Sequence, residues 1–94
     1  SLTQYSYLGG DTEFKKIETV TIFPNPSKGL VYIKYNLSNN PLKSVEVYNV
    51  WGQKVYENDY ANITSIDLSS FSKGLYFVTC YFNNEIYKQK IILE

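Results

Sequence analysis

From Thr19 almost to its last residue the chain repeats with a period of two, and this alternation is the strongest constraint on its fold. A period of two sends successive side chains to opposite faces, as in a half-buried strand, whereas a helix needs 3.6. Seven segments show it. The first is "TVTIF", with Val20 and Ile22 between threonines. "LVYIKYNL" sets Val31, Ile33, Tyr35 and Leu37 against Tyr32, Lys34 and Asn36. "KSVEVYNV" brings Val45 and Val47 together, "GQKVYEND" carries Val55, and "ITSIDL" sets Ile66 and Leu68 on one side. "GLYFVTCYF" aligns Tyr76, Val78, Cys80 and Phe82, and "EIYKQKIIL" closes the series. β-branched and aromatic residues fill these runs, and no segment has helical periodicity.

The connectors suit tight turns. Asn39-Asn40-Pro41 joins two strands, and Val50-Trp51-Gly52 predicts a hairpin with Gly52 left-handed. Asn83-Asn84 predicts another hairpin, because asparagine tolerates positive φ. In "DLSSFSKG", Asp67 organises a turn, Leu68 and Phe71 tuck inward, and Gly74 starts the next strand. Seven short strands with frequent turns predict an all-β, antiparallel β-sandwich. Ninety-four residues suffice for one such domain with its own core.

Before Thr19 the pattern changes. "SLTQYSYLGGDTEFKK" contains Gly-Gly followed by Asp-Thr, a turn or linker signal. Residues 1–16 therefore read as a linker or the end of a preceding domain, with Gly9 to Lys16 the linker proper and residues 17–94 the domain. The stretch ahead of it suits an edge strand or a frayed end. The chain has no methionine, position 1 included, so it is expected to be a processed product or a fragment of something longer.

The residue inventory argues against several functions. Nine lysines balance nine acids, which gives no long-range pull toward nucleic acid or an anionic membrane. Arginine and histidine are both absent. The usual phosphate-reading fork and the commonest general base and metal ligand are thereby missing. No phosphate loop, zinc spacing or calcium loop appears, and no cofactor is expected. No apolar run approaches the roughly 18 residues needed to span a bilayer as a helix. The single cysteine, Cys80, alternates with Tyr76 and Val78 and reads as a small core residue. The ten tyrosines allow two readings. Tyr32, Tyr56, Tyr81 and Tyr87 could form a sugar-stacking platform, or tyrosine simply suits half-buried strands; the second is favoured. Two Asn-x-Ser/Thr patterns, at Asn36 and Asn62, are expected by chance in a chain so rich in these residues.

"FPNPSKG" is the most rigid stretch. Pro24 and Pro26 push Phe23 and Asn25 out of the helical region, and neither proline has an N–H to give to a sheet. The expectation is a sheet corner, with Asn25 capping the turn and Gly29 supplying a permissive φ.

Four stretches in order together resemble one family, the C-terminal sorting domain of type IX secretion cargo, in its type A (Por secretion tail) variety. "IFPNPSKG" followed by "VYI" resembles its Pro-Asn-Pro turn and next strand. "VEVYNVWGQKV" resembles its alternating strand and glycine hairpin, "IDLSSFSKGLYFV" its Asp-Leu-Ser turn with Gly-x-Tyr-x-Val, and "YKQKIILE" its lysine-bearing last strand. The resemblance covers about residues 17 to 94. Asn83-Asn84 departs from it, standing where a glycine turn is common.

The resemblance implies an immunoglobulin-like β-sandwich of about seven strands, in agreement with the count above, and a sorting signal rather than an enzyme. It implies a larger cargo in the same chain, exported across the inner membrane and then carried over the outer membrane by the type IX translocon and its shuttle proteins. The tail is commonly removed there by a sortase-like surface protease, leaving the cargo secreted or surface-attached. Sorting-motif positions carried over are Pro24, Asn25, Pro26, Gly29, Tyr48, Asn49, Gly52, Asp67, Leu68, Gly74, Tyr76 and Val78. Lys88, Lys90 and Ile92, on the last strand, are the expected translocon contacts. That strand is expected at a sheet edge, offering unpaired backbone groups for strand addition, with the lysines giving charge specificity. Cleavage is expected in the stretch Gly9, Gly10, Asp11 and Thr12, because proteases need an extended accessible segment. The alternatives are an immunoglobulin-like or fibronectin-like accessory binding module of a surface enzyme, and a passive spacer.

Overall fold

In a computed structural model, which describes residues 2–7, 14–35 and 41–94, every regular element is a strand. β1 (Leu2–Tyr7), β2 (Phe14–Phe23), β3 (Leu30–Tyr35) and β6 (Ser65–Asp67) form one antiparallel sheet in the order β1-β2-β3-β6. β4 (Leu42–Tyr48), β5 (Lys54–Asn58), β7 (Gly74–Phe82) and β8 (Ile86–Leu93) form the second, in the order β5-β4-β7-β8. The seven strands expected from the alternation are β2 to β8, divided three and four between the sheets. β1 adds an eighth, paired with β2. β2 begins before the alternation does, so Phe14 to Lys16, read from sequence as linker, are strand. Gly9, Gly10, Asp11 and Thr12 lie outside the described residues, as do Asn39 and Asn40 of the predicted turn.

The inner faces of the two sheets build one core. Val20, Ile22, Val31, Ile33 and Ile66 come from the first sheet, and Val45, Val47, Val78, Cys80, Phe82, Ile91 and Leu93 from the second. Each buried aliphatic side chain of this kind contributes about 1.5–3 kcal/mol relative to exposure. Leu42 and Val45 are three apart yet both point inward. A register shift between Leu42 and Ser44 makes this possible, since an extra residue in the strand resets the alternation. Tyr35 closes the core edge-on against Phe82, with ring centroids 5.7 Å apart.

The topology is immunoglobulin-like: β2, β3 and β6 stand as the A, B and E strands, and β4, β7 and β8 as C, F and G, with β5 paired to C. The fold also contains a tyrosine corner. Tyr76, near the start of β7, is buried, and its hydroxyl donates to the Ser72 carbonyl at 2.6 Å.

Several local expectations are corrected. Asn83-Asn84 does join β7 to β8, and Phe82 N–H donates to Glu85 C=O across it at 2.8 Å. The turn needs no left-handed asparagine, however: Asn62, at φ 60°, is the non-glycine residue with positive φ among the described residues. The four tyrosines do not form a platform. Tyr87 is buried, Tyr56 packs against the core beside Phe71, Tyr81 is half-buried, and Tyr32 lies on the other sheet. Cys80 is fully buried, and desolvation pushes its thiol up to about 12, out of reach as a nucleophile at neutral pH.

Candidate functional site

The residues singled out as motif positions gather at one pole of the sandwich. It is built from the β2–β3 turn, the β4–β5 hairpin, the β6–β7 loop and the end of β8. In sequence these pieces are spread from Pro24 to Glu94.

The Pro-Asn-Pro turn is the hub. Asn25 does not cap its own turn, contrary to the local reading. Its side-chain amide pairs instead with the last strand: Nδ2 donates to Lys90 C=O at 2.9 Å, and Oδ1 accepts from Ile92 N–H at 3.0 Å. Two residues on, Ser27 N–H donates to Ile92 C=O and Glu94 N–H donates to Ser27 C=O, both at 2.8 Å, making a parallel bridge to Leu93. Prolines flank Asn25 and have no N–H, so the side-chain amide supplies the donor and acceptor that a strand backbone would supply. Pro24 to Ser27 thus lies along the edge of β8 as a strand surrogate and ties the two sheets together. The buried Ser27 hydroxyl does the local capping: it accepts from Gly29 N–H at 3.0 Å and donates to Leu30 C=O at 2.9 Å.

The third motif meets the first directly. Leu68 N–H donates to Gly29 C=O at 2.8 Å, and a Cβ on Gly29 would lie 2.5 Å from Ser69 Cα. Gly29 is therefore required by this approach as well as by its φ of 136°. Asp67 turns the chain by accepting from Ser69 N–H at 2.9 Å, and hydrogen bonding from the Ser69 side chain, with this backbone bond beside it, lowers the pKa of its carboxyl. Leu68 is fully buried, and Phe71 stacks on Tyr76 at 6.1 Å. Val78 is core, and Gly74 opens β7 at φ 144°.

In the second motif Asn49 builds the hairpin. Its Oδ1 accepts from Trp51 N–H at 2.9 Å and Gln53 N–H at 3.0 Å, while Nδ2 donates to Gln53 Oε1 at 2.9 Å. Gly52 takes φ 80° with open space around it. Trp51 stands 82% exposed at the tip. Tyr48 points to the outer face, where its hydroxyl donates to Glu46 Oε1 at 2.6 Å and that of Tyr81 donates to the same atom at 2.8 Å. These bonds lower the Glu46 pKa, with help from Lys54 Nζ at 3.4 Å, and raise that of Tyr81 to about 12.

The three expected translocon contacts lie together. Lys88, Lys90 and Ile92 occupy alternate exposed positions on the outer face of β8, which is an edge strand. β8 stands at the sheet edge as expected, but from Lys90 C=O to Glu94 N–H its outward backbone groups are already paired with Asn25 and Ser27. Sequence reasoning missed the partners that fix this geometry: Ser27, Glu46 and Gln89, whose Nε2 donates to Ile22 C=O at 3.0 Å between the sheets. Ser27, buried yet polar, lies between two motif residues, but nothing in its type announces burial. Among the described residues no group of three or more His, Cys, Asp or Glu gathers to hold a metal.

Most of the motif residues thus serve packing and backbone pairing at one pole of an immunoglobulin-like sandwich, while Lys88, Lys90 and Ile92 stay exposed on its last strand. Residues 21–94 match the family described as the secretion system C-terminal sorting domain, and the chain belongs to that family. It is thus a C-terminal sorting signal of type IX secretion, a family of signals and not of enzymes. Membership implies interaction with the type IX machinery, a larger cargo, and export across the outer membrane. No curated protein matches the chain.

Proposed function

We propose that this domain directs a cargo protein in the same chain through the periplasm to the type IX translocon and its shuttle proteins, and is then removed by a sortase-like protease. The cargo ends on the outer-membrane surface or in the medium, and the domain itself performs no catalysis. The observation that carries this reading is the family match over residues 21–94, with all four motif stretches converging on one pole. Residues 17–94 act as the signal and residues 1–16 as its connection to the cargo. Pro24, Asn25, Pro26, Gly29, Asp67, Leu68, Gly74, Tyr76 and Val78 act through the fold, as do Tyr48, Asn49 and Gly52. Lys88, Lys90 and Ile92, exposed and aligned, act as contacts. Cleavage falls at Gly9 to Thr12.

Deleting the last strand is a poor test, because it strips Ile91 and Leu93 from the core. The test is a fluorescent reporter fused ahead of residues 1–94, behind an inner-membrane export signal, in a type IX-competent bacterium. Lys88→Ser/Lys90→Ser/Ile92→Ser changes only exposed side chains and is compared after circular dichroism shows it folded. Export by the intact tail alone, dependent on the translocon, supports the reading. Equal export of the variant removes the contact role, and export of neither favours an accessory binding module, to which the exposed Trp51 is also suited. Mass spectrometry of the exported reporter places the cleavage, and a new C-terminus within residues 20–94 would refute Gly9 to Thr12.

A further inference from the structure

β8 exposes its outward backbone groups unevenly. In an antiparallel pair, alternate residues turn their N–H and C=O toward the partner and the others turn them away. Phe82 and Glu85 bond across the turn, so Ile86, Lys88, Lys90 and Ile92 point theirs away from β7. Asn25 and Ser27 occupy this edge from Lys90 C=O onward. The N–H and C=O of Ile86 and Lys88, and the N–H of Lys90, have no protein partner among the described residues. This open stretch is short, regular and bounded by the Pro-Asn-Pro turn.

Its side chains say what can pair there. On the outer face Ile86 stands beside Tyr81, Lys88 beside Thr79 and Lys90 beside Phe77. Neither lysine has a carboxylate within salt-bridge distance among the described residues. Glu46, the acid of the neighbouring row, is already engaged by Tyr48, Tyr81 and Lys54. A second copy pairing antiparallel about Lys88 would set that lysine against itself, and like charges directly opposite are destabilising. The edge therefore disfavours itself and favours an acidic strand.

We propose that residues 86–90 of β8 accept an extended, acidic segment of a partner protein by antiparallel strand addition. Its carboxylates lie opposite Lys90 and Lys88 and an apolar residue opposite Ile86, giving the order acid-x-acid-x-apolar. The proposal rests on the sorting reading for its biological setting and names the partner chemistry of the same strand.

The test uses the purified 94-residue chain, so it is independent of export. Amide resonances are followed as a blocked peptide, Thr-Glu-Thr-Glu-Thr-Val-Thr, is added to millimolar concentration, and again with lysine in place of glutamate. The glutamate peptide is expected to move the amides of Ile86, Lys88 and Lys90 and to leave those of Ile92 and Glu94, already bonded, in place. Two charge pairs changing sign give a preference of about tenfold over the lysine peptide. Lys88→Glu/Lys90→Glu is expected to reverse that preference. Unmoved β8 amides, equal response to both peptides, an unchanged preference in the double variant, or shifts confined to β5 would each overturn the proposal. Normal export alongside such a result would leave the sorting reading standing.

Discussion

Replacing Gly29 by alanine tests whether the motif-bearing pole is as tightly joined as its geometry states. At φ 136° an L-residue is strained, at a cost of about 1–3 kcal/mol. The added Cβ would also sit 2.5 Å from Ser69 Cα, 2.7 Å from its Cβ and 2.8 Å from its N. Two of those atoms are backbone, and Leu68 N–H is bonded to Gly29 C=O, so no rotamer change relieves the contact. Overpacking of this kind adds about 1–3 kcal/mol. The sum is about 2–6 kcal/mol. In a domain of this size each kcal/mol lowers Tm by about 4–8 °C, so a fall of about 8–48 °C is expected, centred on about 24 °C. Gly52 and Gly74 are the controls. Both have positive φ, yet nothing lies within 4 Å of a Cβ there. Gly52→Ala and Gly74→Ala should therefore pay strain alone, about 1–3 kcal/mol. Thermal unfolding of the three variants by circular dichroism decides the matter. If Gly29→Ala falls no further than the controls, the close approach to Ser69 is refuted.

Three further outcomes are expected. Asn25→Ala removes two bonds to β8 that water can partly replace, costing about 1–2 kcal/mol, and its signature is faster hydrogen exchange at Ile92 N–H; unchanged exchange there would refute the strand-surrogate role. Tyr76→Phe removes the hydroxyl bond to Ser72 C=O and should cost about 1 kcal/mol in denaturant unfolding, with m unchanged. Glu46 has a lowered folded pKa, so its stabilisation is full above the ordinary carboxylate range and is lost as pH falls through the lowered value. Glu46→Gln should flatten stability across that acid limb and, because the same bonds raise the Tyr48 and Tyr81 pKa values, also soften the loss of stability as pH rises through the ordinary tyrosine range; an unchanged acid limb would show that the Tyr48 and Tyr81 bonds do not favour the carboxylate.

The strands were legible because alternation is a local property. Val31 and Ile33, or Tyr76 and Val78, declare their face within a few residues, and Asn49 with Gly52 declares a hairpin the same way. Asn25 was misread because its partners, Lys90 and Ile92, are 65 and 67 positions away. A local reading gives an asparagine between prolines a local task. The strand alternation of "EIYKQKIIL" was equally clear, but half of its edge is shielded by residues from the far end of the domain. Leu42 broke the simple pattern because a register shift, invisible in composition, resets the inward face before Val45.

The bond between Asn25 and β8 also orders events in time. Synthesis runs from the N-terminus, so Asn25 emerges long before the strand it must hold. Contacts this distant in sequence are the slow ones to form. The pole is thus expected to close only once Lys90 to Glu94 are free to pair, and chains ending before Lys90 should show Ser27 open to protease. A sandwich built this way reports on its own last strand: where Lys90 to Glu94 are missing or unfolded, the Pro-Asn-Pro turn has nothing to latch onto.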